Sequence, residues 1–175
     1  MALISSQRAF ARDLTTYDME LIMALSAAIT GTRQTDHRGF GWYGDLFATY
    51  LAPWASDDAT HFYIGGARGI DSLALLWLAD YAKSRVTIVV PGTVAQQPTE
   101  ARQAIERCRD RIAEVVELGA AELRTPAYHA RNRYMVDRAQ MVLGFPLAGA
   151  ESTSGTWQTI DYAASQGKPR LIVPV

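Results

Sequence analysis

Short apolar runs separated by longer amphipathic stretches recur along this chain, a rhythm that predicts strand-helix-strand units around a mainly parallel sheet. The first run, about Met23 to Thr30, reads as a strand ended by Gly31. An aromatic, glycine-rich loop from Gly39 to Gly44 follows, and Asp45 can cap a helix with Leu46, Phe47, Tyr50 and Leu51 on one face. His61 to Ile64 reads as a second strand and Ile70 to Tyr81 as a well-buried helix. Arg85 to Val90 is a β-branched run closed by Pro91-Gly92, the pattern of a central parallel strand. From Pro98 a charged helix is expected, with Ile105, Ile112, Val115 and Val116 able to face the sheet and a break in its middle left open. A short strand near Glu122-Leu123-Arg124, a helix from Ala130 to Ala139, a strand Met141 to Phe145, a helix Thr156 to Ala164 and a strand Arg170 to Val173 complete about six strands. The pattern is α/β. Residues 1–16 show no such periodicity and read as an N-terminal extension, leaving 17–175 as a single domain.

Composition narrows the class. At 175 residues, 49% hydrophobic and 20% charged, the chain has the balance of an ordinary globular domain. A chain of this size buries roughly 70% of its unfolded surface, so a core needs neither disulfides nor a structural metal. The lone Cys108 cannot form an internal disulfide, which points to a reducing cytoplasm. Net charge is -1, without the global positive field of a dedicated nucleic-acid binder, so any such binding must be local. The longest apolar stretch, Leu21 to Ile29, falls short of the roughly 20 residues of a membrane helix. The opening residues do not have the order of a signal peptide.

Strand-to-helix loops of a parallel sheet leave from one edge, so distant motifs can line one crevice. Three such loops carry unusual chemistry. Thr30-Gly31-Thr32-Arg33 places a hydroxyl and a guanidinium directly after a strand. Gly65-Gly66-Ala67-Arg68-Gly69-Ile70-Asp71 leads glycines into a helix whose free amides suit a phosphate. Ser152-Thr153-Ser154-Gly155-Thr156 is hydroxyl-rich at another helix start. Glycine after a strand can be only a tight turn, and Ser or Thr before a helix only an N-cap. Arginines tip the balance, since a turn needs none, whereas the fork of Arg33 or Arg68 suits phosphate or carboxylate. A fourth cluster, Tyr128-His129-Ala130-Arg131-Asn132-Arg133-Tyr134, lies near an expected helix start, where cations are unfavourable without an anion.

Other chemistry is not indicated by spacing. No Gly-x-Gly-x-x-Gly or Gly-Lys-Ser/Thr loop is present, and His37, His61 and His129 are scattered without metal-ligand spacing, so no metal site is expected. Cys108 sits between two arginines on a charged helix and reads as incidental.

In their order and spacing, Thr30-Gly31-Thr32-Arg33, Gly65-Gly66-Ala67-Arg68-Gly69-Ile70-Asp71, Arg131-Asn132-Arg133 and Ser154-Gly155-Thr156 resemble the SLOG superfamily. The Gly-Gly-Ala-Arg-Gly-Ile-Asp element is most similar to its DNA-processing protein A (DprA/Smf) branch, and more distantly to the lonely-guy phosphoribohydrolases. The resemblance implies a Rossmann-like three-layer α/β/α sandwich. It implies a nucleotide or nucleotide-derived phosphorylated ligand, with single-stranded DNA as the alternative of the DNA-processing branch, and an association into dimers. Carried over, it implies binding by Gly31, Thr32, Arg33, Gly65, Gly66, Arg68, Asp71, Arg131, Asn132, Ser154, Gly155 and Thr156. The phosphoribohydrolases end their glycine motif in a catalytic glutamate, and Thr159 stands there in this chain. Threonine supplies no carboxylate, so nucleotide N-ribohydrolase activity would need Asp71, Glu151 or Asp161 instead.

Overall fold

A computed structural model describes residues 25–149 and 154–175. Its elements run β1 (Ser26–Gly31), α1 (Phe40–Tyr50), α2 (Ala52–Ala55), β2 (His61–Ile64), α3 (Ile70–Tyr81) and β3 (Arg85–Val90). They continue through α4 (Thr99–Arg107), β4 (Glu114–Glu117), α5 (Thr125–Arg138), β5 (Met141–Phe145), α6 (Gly155–Ser165) and β6 (Arg170–Ile172). The extension expected over residues 1–16 and the start of the first strand lie outside the described residues.

All strand pairs are parallel, in the order β4-β3-β2-β1-β5-β6. Alternation along each strand sorts side chains between two layers. On β1, Ala27 and Ile29 join a core with Tyr43 and Phe47 of α1, with Leu51 just after it, and with α2, α3 and α4. Ala28, between them, joins a second core with Met135 and Val136 of α5 and Ile160 and Ala163 of α6. The result is the three-layer α/β/α Rossmann-like sandwich. Strand order reverses between β1 and β5, so their carboxyl ends frame a switch-point crevice, the usual ligand position in such sheets.

Four expected elements are corrected. The fourth strand is Glu114–Glu117, and Glu122-Leu123-Arg124 is not a strand. Ile112, Val115 and Val116 match a helical period, but α4 stops at Arg107 and a short 3-10 turn, Arg109–Arg111, reverses the chain. Val115 then packs on one core and the adjacent Val116 on the other, which only an extended backbone allows.

The first helix begins at Phe40, so Asp45 is an interior residue rather than its cap. Gly41 and Gly44 weaken helix propensity and make the segment read as a loop, yet burial of Tyr43, Phe47 and Leu51 at four-residue spacing outweighs that cost. Helix α5 starts at Thr125, with Pro126 in its first turn, not at Ala130. Arg131 and Asn132 therefore lie beyond the first turn, and the argument from unfavourable first-turn cations does not apply to them.

Candidate functional site

A cavity of about 420 Å³ opens at the carboxyl ends of β1 and β5. Gly31, Thr32 and Arg33 enter it from the β1 loop, Asp71 from α3, Arg131 and Asn132 from α5, and Ser154, Gly155 and Thr156 from the start of α6. Four segments far apart in sequence thus meet in one place.

Arg131 and Asp71 organise its floor. Arg131 Nη1 donates to Asp71 Oδ2 at 3.3 Å, and each side chain is only 7% exposed. The Ala67 N–H donates to the same Oδ2 at 3.2 Å. Burial pushes the Asp71 carboxyl up from its ordinary pKa, while Arg131 and the Ala67 hydrogen bond pull it back. Burial likewise presses the Arg131 guanidinium down, with Asp71 opposing. Its Nε is buried and, among the described residues, has no hydrogen-bond partner. An unpaired N–H on a buried cation is costly, and it marks a guanidinium whose hydrogen-bonding capacity is incompletely met by the protein.

Two glycines make this arrangement fit. A methyl group at Gly65 would fall 1.2 Å from Arg131 Nη1, so only glycine leaves room for the guanidinium over the end of β2. One at Gly31 would fall 2.4 Å from Ile70 Cβ, so glycine lets α3 start close against β1.

The second loop does not form the open phosphate cradle expected of it. The Gly69 N–H donates to Glu100 Oε1 at 3.0 Å, and the Ala67 N–H is taken by Asp71. Gly65, Gly66 and Arg68 do not line the cavity, and Gly66, with φ +58°, shapes the turn instead. Arg68 is exposed. At the α6 terminus, which does line the cavity, Ser154 is the N-cap and its Oγ accepts from Trp157 N at 3.4 Å.

At the mouth, the exposed Arg33 guanidinium lies 4.9 Å from the Tyr128 ring centroid. Tyr128, His129, Thr125 and Gln158 also line the cavity. Pro126 is a first-turn signal that marks the start of this helix at Thr125 and would have brought Thr125 to the crevice, whereas no sequence signal marks Gln158.

Of the carboxylates weighed for hydrolysis, Glu151 lies outside the described residues and Asp161 lines a neighbouring cavity. Thr159 is fully buried and its hydroxyl donates to Gly155 O at 2.9 Å within α6.

Fold and site together define a Rossmann-like domain with a polar, arginine-bearing crevice at its switch point. The chain belongs to the DNA recombination-mediator protein A family, whose model matches residues 16–175. Among solved structures, DNA processing protein A from Helicobacter pylori is similar at 20% identity with a TM-score of 0.64, covering 90% of this chain and 68% of that one. That protein is described as having a unique single-stranded DNA binding mode. The structural-genomics target TM1055 is similar at 17% identity with a TM-score of 0.51, covering 83% of this chain and 72% of that one. No curated protein matches. Among the described residues no helix is long and apolar enough to cross a membrane.

Proposed function

We propose that the crevice binds a nucleotide or nucleotide-derived phosphorylated ligand, with its phosphate held between Arg131, Arg33 and the α6 N-terminus. The observation that carries this reading is Arg131: a buried guanidinium facing a cavity with its Nε unpartnered among the described residues. Asp71 holds that guanidinium in place rather than reading ligand, since its Oδ2 already accepts from Arg131 and Ala67. Asn132, whose amide makes only a long 3.5 Å contact to Gly155 O, is free to read ribose or base.

Single-stranded DNA is the second reading, favoured by family membership and by the Arg33–Tyr128 pair at the mouth, where a cation and a ring can take phosphate and base together. The reading is of binding, not hydrolysis: Thr159 offers no carboxylate and is turned into its own helix. It also takes the protein as a cytoplasmic dimer.

Thermal melts with nucleoside mono-, di- and triphosphates, cyclic nucleotides and short single-stranded DNA test it. A ligand at 100 times its Kd stabilises by about 2.7 kcal/mol, a shift of a few degrees. A shift with small nucleotides that Arg33→Ala weakens supports the first reading. A shift with single-stranded DNA alone, falling with added salt, replaces it with the second. Nucleotides recovered cleaved would reinstate hydrolysis, and sedimentation equilibrium reads the dimer.

A further inference from the structure

A second cavity, of about 300 Å³, adjoins the first and shares with it the wall residues His129, Asn132 and Gln158. Its remaining lining is Arg133, Asp161 and Tyr162. His129, Asn132 and Arg133 stand at i, i+3 and i+4 on α5, and Gln158, Asp161 and Tyr162 at the same spacing on α6. Each trio is one stripe of its helix, so the second cavity is a groove between α5 and α6 that leads away from the crevice.

The chemistry of the groove differs from that of the crevice. Arg133 Cζ lies 5.5 Å from the Tyr162 ring centroid, and the Tyr162 hydroxyl donates to Asp137 Oδ1 at 2.8 Å, which holds the ring in place. The guanidinium lies over the phenol ring, which steadies it, so that its outer plane is a flat surface for an aromatic base. Asp161 adds a carboxylate, which repels phosphate and accepts hydrogen bonds from base N–H groups.

We infer that this groove is a nucleobase subsite, so that the protein takes a ligand of two linked nucleotides, one seated in the crevice and the base of the other between α5 and α6. The inference rests on the proposed nucleotide-binding role of the crevice. Asp161 makes the subsite prefer a base with hydrogen-bond donors on its edge, guanine above thymine.

Titration calorimetry on the full chain with dGMP, dTMP, pdGpdG and pdTpdT tests it. The expected result is that pdGpdG binds about tenfold tighter than dGMP, with a smaller gain for pdTpdT over dTMP. Tyr162→Ala should remove the gain and leave mononucleotide affinity unchanged, while Tyr162→Phe, which keeps the ring, should retain it. Asp161→Asn should bring the two gains together. Equal affinities for mono- and dinucleotides, or an equal loss for both in Tyr162→Ala, would overturn the subsite while leaving the crevice reading intact. Absence of binding by all four would overturn both.

Discussion

Arg131 on α5 and Asp71 on α3 meet at 3.3 Å across the carboxyl edge of the sheet, joining helices that pack on its opposite faces. The pair is a clasp between layers as well as the floor of the crevice. Removing one partner strands a buried charge, so Arg131→Ala should cost about 3–5 kcal/mol in urea unfolding. The cost should grow with pH. Burial raises the Asp71 pKa, so the folded protein holds that proton more tightly than the unfolded chain; the resulting stability is full at low pH and lost as pH rises through the folded value. Arg131 lowers that value, so without it the loss is larger, and unfolding curves at about pH 5 and about pH 8 should diverge more in the variant than in the parent.

Gly65→Ala should act through Arg131. The added methyl occupies the position of Nη1, so the guanidinium must move, with loss of the ion pair and of ligand-induced stabilisation. A double-mutant cycle with Arg131→Ala reads this directly. The two changes should be strongly non-additive, and simple additivity would show that Gly65 serves only the turn.

His61 on β2 pairs through Nε2 with Thr87 Oγ1 on β3 at 2.8 Å. Burial, then the neighbouring Arg85, holds its pKa below the ordinary value. The unfolded chain therefore takes up the proton first, and stability that is full above about pH 6.5 is lost as pH falls toward the folded value. Melting temperature should drop between about pH 7.5 and about pH 5.5, and His61→Gln should flatten the drop.

Cys108 is buried against α3 and α4, and burial pushes its thiol pKa up. It should resist a thiol-modifying reagent in the folded protein and react fully in denaturant. Rapid labelling under native conditions would contradict this.

Lys168, after α6, donates from Nζ to the carbonyls of Val136, Asp137 and Ala139 at the end of α5. It caps the last carbonyls of the helix, of which Val136 O also accepts the Ala139 N–H. Lys168→Met should cost about 1–2 kcal/mol in urea unfolding, a larger effect than a surface lysine gives.

Local pattern carried much of this protein. The β-branched run Arg85–Val90, the strand His61–Ile64 and the helix Ile70–Tyr81 stand where hydrophobic spacing puts them, because each buries the face that its period defines. Gly31, Thr32, Arg33, Ser154, Gly155 and Thr156 were legible as one edge, since parallel topology brings every strand-to-helix loop to the same side. Spacing failed at Val115-Val116, where a helical and a strand period coincide over a few residues, and at Gly41 and Gly44, where packing overrides propensity.

Tertiary structure decided the roles within the crevice. Sequence alone determined that Gly65, Asp71 and Arg131 were unusual. That Gly65 makes space, Asp71 anchors and Arg131 keeps a buried, unpaired N–H follows from burying two charges, 60 residues apart, over one strand end. A low-dielectric interior forces such charges to pair, and which ones do so is set by the layers that meet there, not by any spacing along the chain.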